Sequence, residues 1–187
     1  MHGKSSMLYL DNAATTPLLP EVRKVMINYM VDNFGNPSSI YKIGRMNKIA
    51  VEEARKSIAK TIGACPDDIF FTSGGTESDN WVLESAAESA TESDSAHIIV
   101  SAIEHPAVIN KCIQLKKRGC DVDYIKTDKN GIINTDDLIS KIRDDTKLIS
   151  VMLVNNEIGT IQPVKNVCNI AAEYAIPVHT DAVAAYG

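Results

Sequence analysis

Four short polar clusters each follow an apolar or aromatic run: TSGGTESDN at 72–80, EHP at 104–106, NNEIG at 155–159 and TD at 180–181. Each offers different chemistry. Gly74 and Gly75 permit a tight turn with no side chain in the way. Thr76 then stands at a helix start, where free N–H groups and the positive dipole end suit a phosphate. The same residues also read as an ordinary helix start, since Thr76, Glu77 and Asp79 suit a first turn. The turn is neither G-x-G-x-x-G nor G-x-x-x-x-G-K-[ST], which disfavours dinucleotide and Walker-type sites. An imidazole at His105 could stack on a planar ligand or move a proton near neutral pH, or could cap a helix or face solvent. Asn155 and Asn156 read as a turn pair. Glu157 reads as an acid/base group or, more simply, as a first-turn or buried hydrogen-bonded residue. Asp181 could stabilise a cation such as a protonated ring nitrogen, or cap a following helix.

These clusters need elements to hold them. DIFF (68–71), HIIVSAI (97–103), DVDYIK (121–126), KLISVMLV (147–154) and IPVHTD (176–181) have the composition of strands. Helical patterns fall between them: Thr76 to about Ser89, EHPAVINKCIQLKKRG with Pro106 in its first turn and Gly119 as its stop, NTDDLISKIRDD capped by Asn134 or Thr135, and 163–175. This alternation predicts β-α-β units with right-handed crossovers and a mostly parallel sheet. Ligands of such sheets bind at the carboxyl ends of the strands, where all four clusters should converge. Before Asp68 the chain is more helical, with amphipathic stretches at 19–34 and about 44–62. In the second, Glu52 and Lys56 stand at i, i+4 and can pair. FGNPSS between the two helices is a loop.

The totals bound the possibilities. The 187 residues suffice for one domain with a sizeable core, and the composition, 44% hydrophobic and 23% charged, is that of a globular protein. A net charge of −5 argues against a nucleic-acid partner. No apolar run approaches the roughly 20 residues of a membrane span. MHGKSSM has no apolar core after its lysine and so does not read as a secretory signal; residues 1–6 read as a leader or a cloning remnant. Cys65, Cys112, Cys120 and Cys168 form no C-x-x-C pair and have no histidine at zinc spacing. Reduced structural thiols, a cytoplasmic location and no metal site are the expectation.

Taken in order, YLDNAATTP (9–17), FGNPSS, FTSGGTESDN, EHPAV, NGIIN, LVNNEIGTIQP and HTDAV resemble the cysteine desulfurases, fold-type-I enzymes dependent on pyridoxal phosphate (PLP). The resemblance runs through the chain after Met7. It implies a three-layer α/β/α fold with a mostly parallel sheet, the PLP-dependent transferase large domain. Residues 7–187 would supply an N-terminal segment and most of that domain, incomplete at its C-terminal side and without the small C-terminal domain. It implies conversion of L-cysteine to L-alanine plus enzyme-bound sulfur for iron–sulfur cluster or thiocofactor assembly. A homodimer or higher oligomer and a sulfur-acceptor or scaffold protein are the implied partners. By the same resemblance Gly75 and Thr76 bind the cofactor phosphate. His105 stacks on its ring and shuttles protons, Asn156 lies near its phenolic oxygen with Asn155 beside it, and Asp181 pairs with its ring nitrogen.

Two positions depart from the family's pattern. Tyr41 stands where NPSS-x-His is usual, and Ala184 where the glutamine of HTDAVQ would donate a hydrogen bond toward the cofactor. The covalent lysine of the family lies beyond the aspartate strand, whereas the last lysine here is Lys165. The loop cysteine that takes up sulfur, and the arginine for the substrate carboxylate, have no match either. The expectation is a chain inactive alone, with an exposed sheet edge and a tendency to oligomerise. The alternatives are a non-catalytic PLP-, phosphate- or partner-binding module, and a selenocysteine lyase or other class-V aminotransferase-like enzyme.

Overall fold

The computed structural model describes residues 8–89 and 95–186. The leader assigned to residues 1–6 lies outside them. The chain forms two compact units, divided between Phe71 and Thr72.

The first unit carries helices α1 (Pro20–Val31) and α2 (Lys42–Ile62) and a 3-10 turn at Pro66–Asp68. Pro20 starts α1, where a missing N–H costs nothing. Gly63, in the left-handed region at φ 68°, stops α2. The loop between the helices is tied down by Asn47, whose Nδ2 donates to the carbonyls of Asn33 (2.6 Å) and Gly35 (2.5 Å). Glu52 pairs with Arg55 at 3.3 Å, one residue short of the expected Lys56, and Arg55 also reaches the Ile69 carbonyl and stacks 4.9 Å from the Phe71 ring. The strand expected at 68–71 is absent. Pro66 starts a tight turn there, and the residues after it join no sheet, so β propensity yields to context.

The second unit is an α/β sandwich. Its sheet is wholly parallel, in the order β2-β1-β3-β4, from β1 (His97–Ser101), β2 (Asp121–Ile125), β3 (Thr146–Ser150) and β4 (Val178–His179). Four helices connect it: α3 (Gly75–Glu88), α4 (Pro106–Lys117), α5 (Thr135–Lys141) and α6 (Val164–Glu173). Side chains alternate across the strands. Ile98, Val100, Val122 and Leu148 pack with Leu83 of α3 and Val108, Cys112 and Leu115 of α4. Ile99, Ile125 and Ile149 pack on the other face with Leu138 of α5 and Val167 and Ala171 of α6. Two helical layers therefore cover one sheet, which is why β1 is buried along its whole length.

The strands are shorter than their apolar runs. The 97–103, 147–154 and 176–181 segments keep regular pairing only to Ser101, Ser150 and His179. Backbone bonding nevertheless continues past β3 and β4, from Val151 N to His179 O (3.0 Å) and from Leu153 N to Asp181 O (2.9 Å). Asn134 caps α5, accepting from the amides of Asp136 and Asp137.

Candidate functional site

From β1 the chain crosses to β2 on one side and later to β3 on the other, so the sheet has its switch point between β1 and β3. The crevice of an open parallel sheet lies at the carboxyl ends of such a pair. The loops after β1, β3 and β4 and the start of α3 all belong to this unit.

No side chain caps α3, whose N-cap is Gly74. The carbonyl of Gly74 takes the amides of Glu77 (3.1 Å) and Ser78 (3.2 Å), and Glu77 Oε2 turns back to the Ser73 amide and hydroxyl, both at 2.6 Å. These hydrogen bonds hold the Glu77 carboxyl below its usual range. The amides of Gly75 and Thr76 remain at the free end of a 14-residue helix. A Cβ on Gly74 would meet nothing within 4 Å, whereas one on Gly75 would come to 2.8 Å from Val183 Cγ2. The helix start thus faces the turn that follows Asp181.

Asp181 is 7% exposed. Its Oδ1 accepts from the Val183 amide at 2.9 Å, which starts a turn closed by Ala185 N and Tyr186 N on Ala182 O. Asp181 caps this turn; among the described residues no helix follows it. Ala184 in that turn is exposed.

His105 is half-buried and caps α4, its Nδ1 accepting from the Ala107 amide at 3.1 Å. A neutral ring held this way carries its proton on Nε2. Asn155 is buried and fully used within the fold. Its Nδ2 donates to Ile103 O (2.8 Å) and its Oδ1 accepts from Glu157 N (2.9 Å) and Ile158 N (3.0 Å). Asn156 is half-buried, with its Nδ2 3.3 Å from Glu157 Oε1. Glu157 itself is exposed, contrary to a buried or helical role, because the 155–159 turn closes through Gly159 N on Asn155 O and points it outward.

Tertiary packing adds groups that the sequence reading did not single out. Glu104 is 7% exposed, and its Oε1 accepts from Ser101 Oγ (2.5 Å) and Met152 N (2.7 Å). Burial drives its carboxyl up to about 7, against the two hydrogen bonds and His179, with Asp181 adding to the rise. His179 bonds Ser150 Oγ at 2.9 Å and approaches Asp79 Oδ1 at 3.4 Å. The signal for Asp79 was its i, i+4 spacing to the fully buried Leu83, which places both on the sheet-facing side of α3. Glu104 has a fainter one, a carboxylate set inside the strand-end cluster.

The cysteines lie elsewhere. Cys112 is buried on α4, and desolvation pushes its thiol up to about 12. Burial also raises Cys120, whose Sγ lies 3.1 Å from Ala96 O. Cys65 and Cys168 are exposed, beside the 3-10 turn and on α6.

Comparison with known proteins agrees with this architecture. The aminotransferase class-V family model matches residues 8–187. A cysteine desulfurase IscS from Methanosarcina thermophila is 51% identical over 184 residues, covering 98% of this chain and 45% of that protein. One from Dictyoglomus turgidum is 49% identical over 180 residues, covering 96% and 45%. Among solved structures, a NifS-like protein superposes with a TM-score of 0.89 at 39% identity, over 92% of this chain and 48% of its own. A structure described as SspA in complex with cysteine gives the same TM-score and identity, over 92% and 50%. The chain spans about half the length of these relatives. It belongs to the aminotransferase class-V family, and within that family it matches the cysteine desulfurases of the IscS and NifS type.

Proposed function

We propose that this chain carries the cofactor-cradling part of a PLP-dependent cysteine desulfurase, acting on L-cysteine to leave L-alanine and enzyme-bound sulfur. One observation carries the reading: a buried carboxylate, Asp181, stands at a strand end whose following turn faces the uncapped start of α3. The residues present fit the cofactor. The free amides of Gly75 and Thr76 suit its phosphate. Asp181 has one oxygen on Val183 and the other open to a protonated ring nitrogen. His105 offers an imidazole face and an Nε2 proton, and Asn156 an amide that could donate to the phenolic oxygen. The orphan hydroxyl of buried Thr180 Oγ1 beside Asp181 marks a polar environment short of partners.

PLP, when bound, supplies a sink for electrons released at the substrate α-carbon. The chain's own part is to bind and orient. Asp181 would hold a proton at the ring nitrogen, the α3 amides would anchor the phosphate, and His105 would move a proton through Nε2. Residues 7–187 would form an N-terminal segment and most of the cofactor-binding domain. The reading carries with it a cytoplasmic dimer or higher oligomer that passes sulfur to an acceptor or scaffold for iron–sulfur or thiocofactor assembly. Among the described residues no helix is long and apolar enough to cross a membrane.

The 187 residues hold no lysine after Lys165. None of the four cysteines occupies the place of a mobile nucleophile. The test is to incubate the pure chain with PLP and L-cysteine, following cofactor fluorescence and product. Saturable PLP binding without sulfide or alanine is the expected result. No PLP binding at millimolar concentration defeats the reading of a cofactor cradle, and sulfide or alanine formed at enzymatic rates defeats the expectation that the chain is inactive alone.

A further inference from the structure

We propose that Glu104 is a positioning residue of this site, clamping the His105 loop to the end of β3 as a neutral acid with its proton on Oε2. The geometry assigns the two oxygens different tasks. Oε1 takes both donors, the Ser101 hydroxyl from β1 at 2.5 Å and the Met152 amide beyond β3 at 2.7 Å. Oε2 is buried and has no partner at all. An unpaired, desolvated oxygen is costly when it carries charge and far less so when it carries a proton. Oε1 is committed as an acceptor, so the proton belongs on Oε2.

The clamp acts where the site needs stiffness. It crosses the switch point of the sheet, and a second bond, from Asn155 Nδ2 to Ile103 O, crosses it beside Glu104. Together these hold residues 103 and 104 against the β3 loop, and His105 is the next residue in the chain. The groups that act on Glu104 come from three sides: His179 of β4, which is itself held by Asp79 of α3, Asp181 beyond β4, and Cys112 of α4. Asp181 opposes charge on Glu104. A second carboxylate charge here would stand against that of Asp181, and the neutral acid avoids that conflict. Burial moves the Glu104 carboxyl in the same direction as the geometry requires.

The importance of the clamp for catalysis rests on the function proposed above; the clamp itself does not, and it is read without cofactor. The measurement is the pH dependence, by NMR, of the Met152 amide and the Asn155 side-chain amide in the full chain, compared with Glu104→Gln. Neither reporter titrates itself. Glutamine keeps an acceptor at Oε1 and cannot ionise. In the parent chain both reporters should shift with an inflection near pH 7, and both should lose that inflection in E104Q. Where E104Q alone folds poorly, the parent titration decides: an inflection at the ordinary carboxylate range, near 4.5, overturns the proposal. So does an inflection near neutrality that E104Q retains, which would belong to a group other than Glu104. A failure of PLP to bind would leave these outcomes readable and would strike only the functional reading.

Discussion

Asp181 and Glu104 are two carboxyl groups at one strand end with equal exposure and unequal surroundings. Asp181 faces the α3 start and a turn amide; Glu104 has an oxygen sealed from any donor. Two outcomes follow for single residues. Folding should become less favourable as pH rises through the Glu104 range. Burial pushes the folded carboxyl up to about 7, above its ordinary value of 4.5. The folded chain therefore keeps a proton that the unfolded chain loses, and the stability present below pH 4.5 is given up progressively until about 7. The loss is roughly 3 kcal/mol at 1.36 kcal/mol per pKa unit. Denaturant melts between pH 5 and 8 should show this slope, and E104Q should flatten it. Asp181→Ala should weaken PLP binding about ten- to hundredfold, the loss of one charge-assisted hydrogen bond. A fluorescence titration reads this, and an unchanged affinity would remove Asp181 from the site.

At the scale of elements, the loops after β2 and β3 lean on each other. Gln162 is buried, and its amide bridges the Ile133 amide (3.0 Å) and the Gly131 carbonyl (2.6 Å). Gln162→Ala would strand both backbone groups, so a loss of about 2–4 kcal/mol is expected by chemical denaturation. Gly131 stands at φ 78°, and a Cβ there would lie 2.5 Å from Ile158 Cδ1. The contrast with Gly75 is instructive. A methyl at Gly75 meets only Val183, an exposed side chain that can swing away. Gly75→Ala should change stability by less than about 0.5 kcal/mol, whereas Gly131→Ala should cost about 1–3 kcal/mol. Equal melting temperatures for the two variants would contradict this. The helices were legible from caps and breakers: Asn134, Pro106 and Gly119 all mark boundaries near those observed. The DIFF segment was misread because β propensity reports fitness for a sheet surface and cannot supply a neighbouring strand.

For the molecule as a whole, the first unit leaves much apolar surface in contact with solvent. No described residue of α1 is buried, and Met30, Val31 and Phe34 are each more than 60% exposed. Patches of this kind mark interaction surfaces. Concentration-dependent self-association is expected in sedimentation velocity; a single monomer species across a hundredfold concentration range would count against it. The sequence by itself determined the local facts: where helices start and stop, that strands alternate with them, and that four polar clusters close apolar runs. It also carried the order of motifs on which the family resemblance rests, because these are properties of neighbouring residues. Only the tertiary structure decided which strand ends adjoin, and so that Asn155 serves the fold while Glu104, His179 and Asp79 enter the site. The physical reason is that burial and hydrogen-bond satisfaction depend on partners distant in the chain, such as Met152, which lies 48 residues from Glu104. No local pattern encodes the loss of solvent that makes a carboxyl hold its proton.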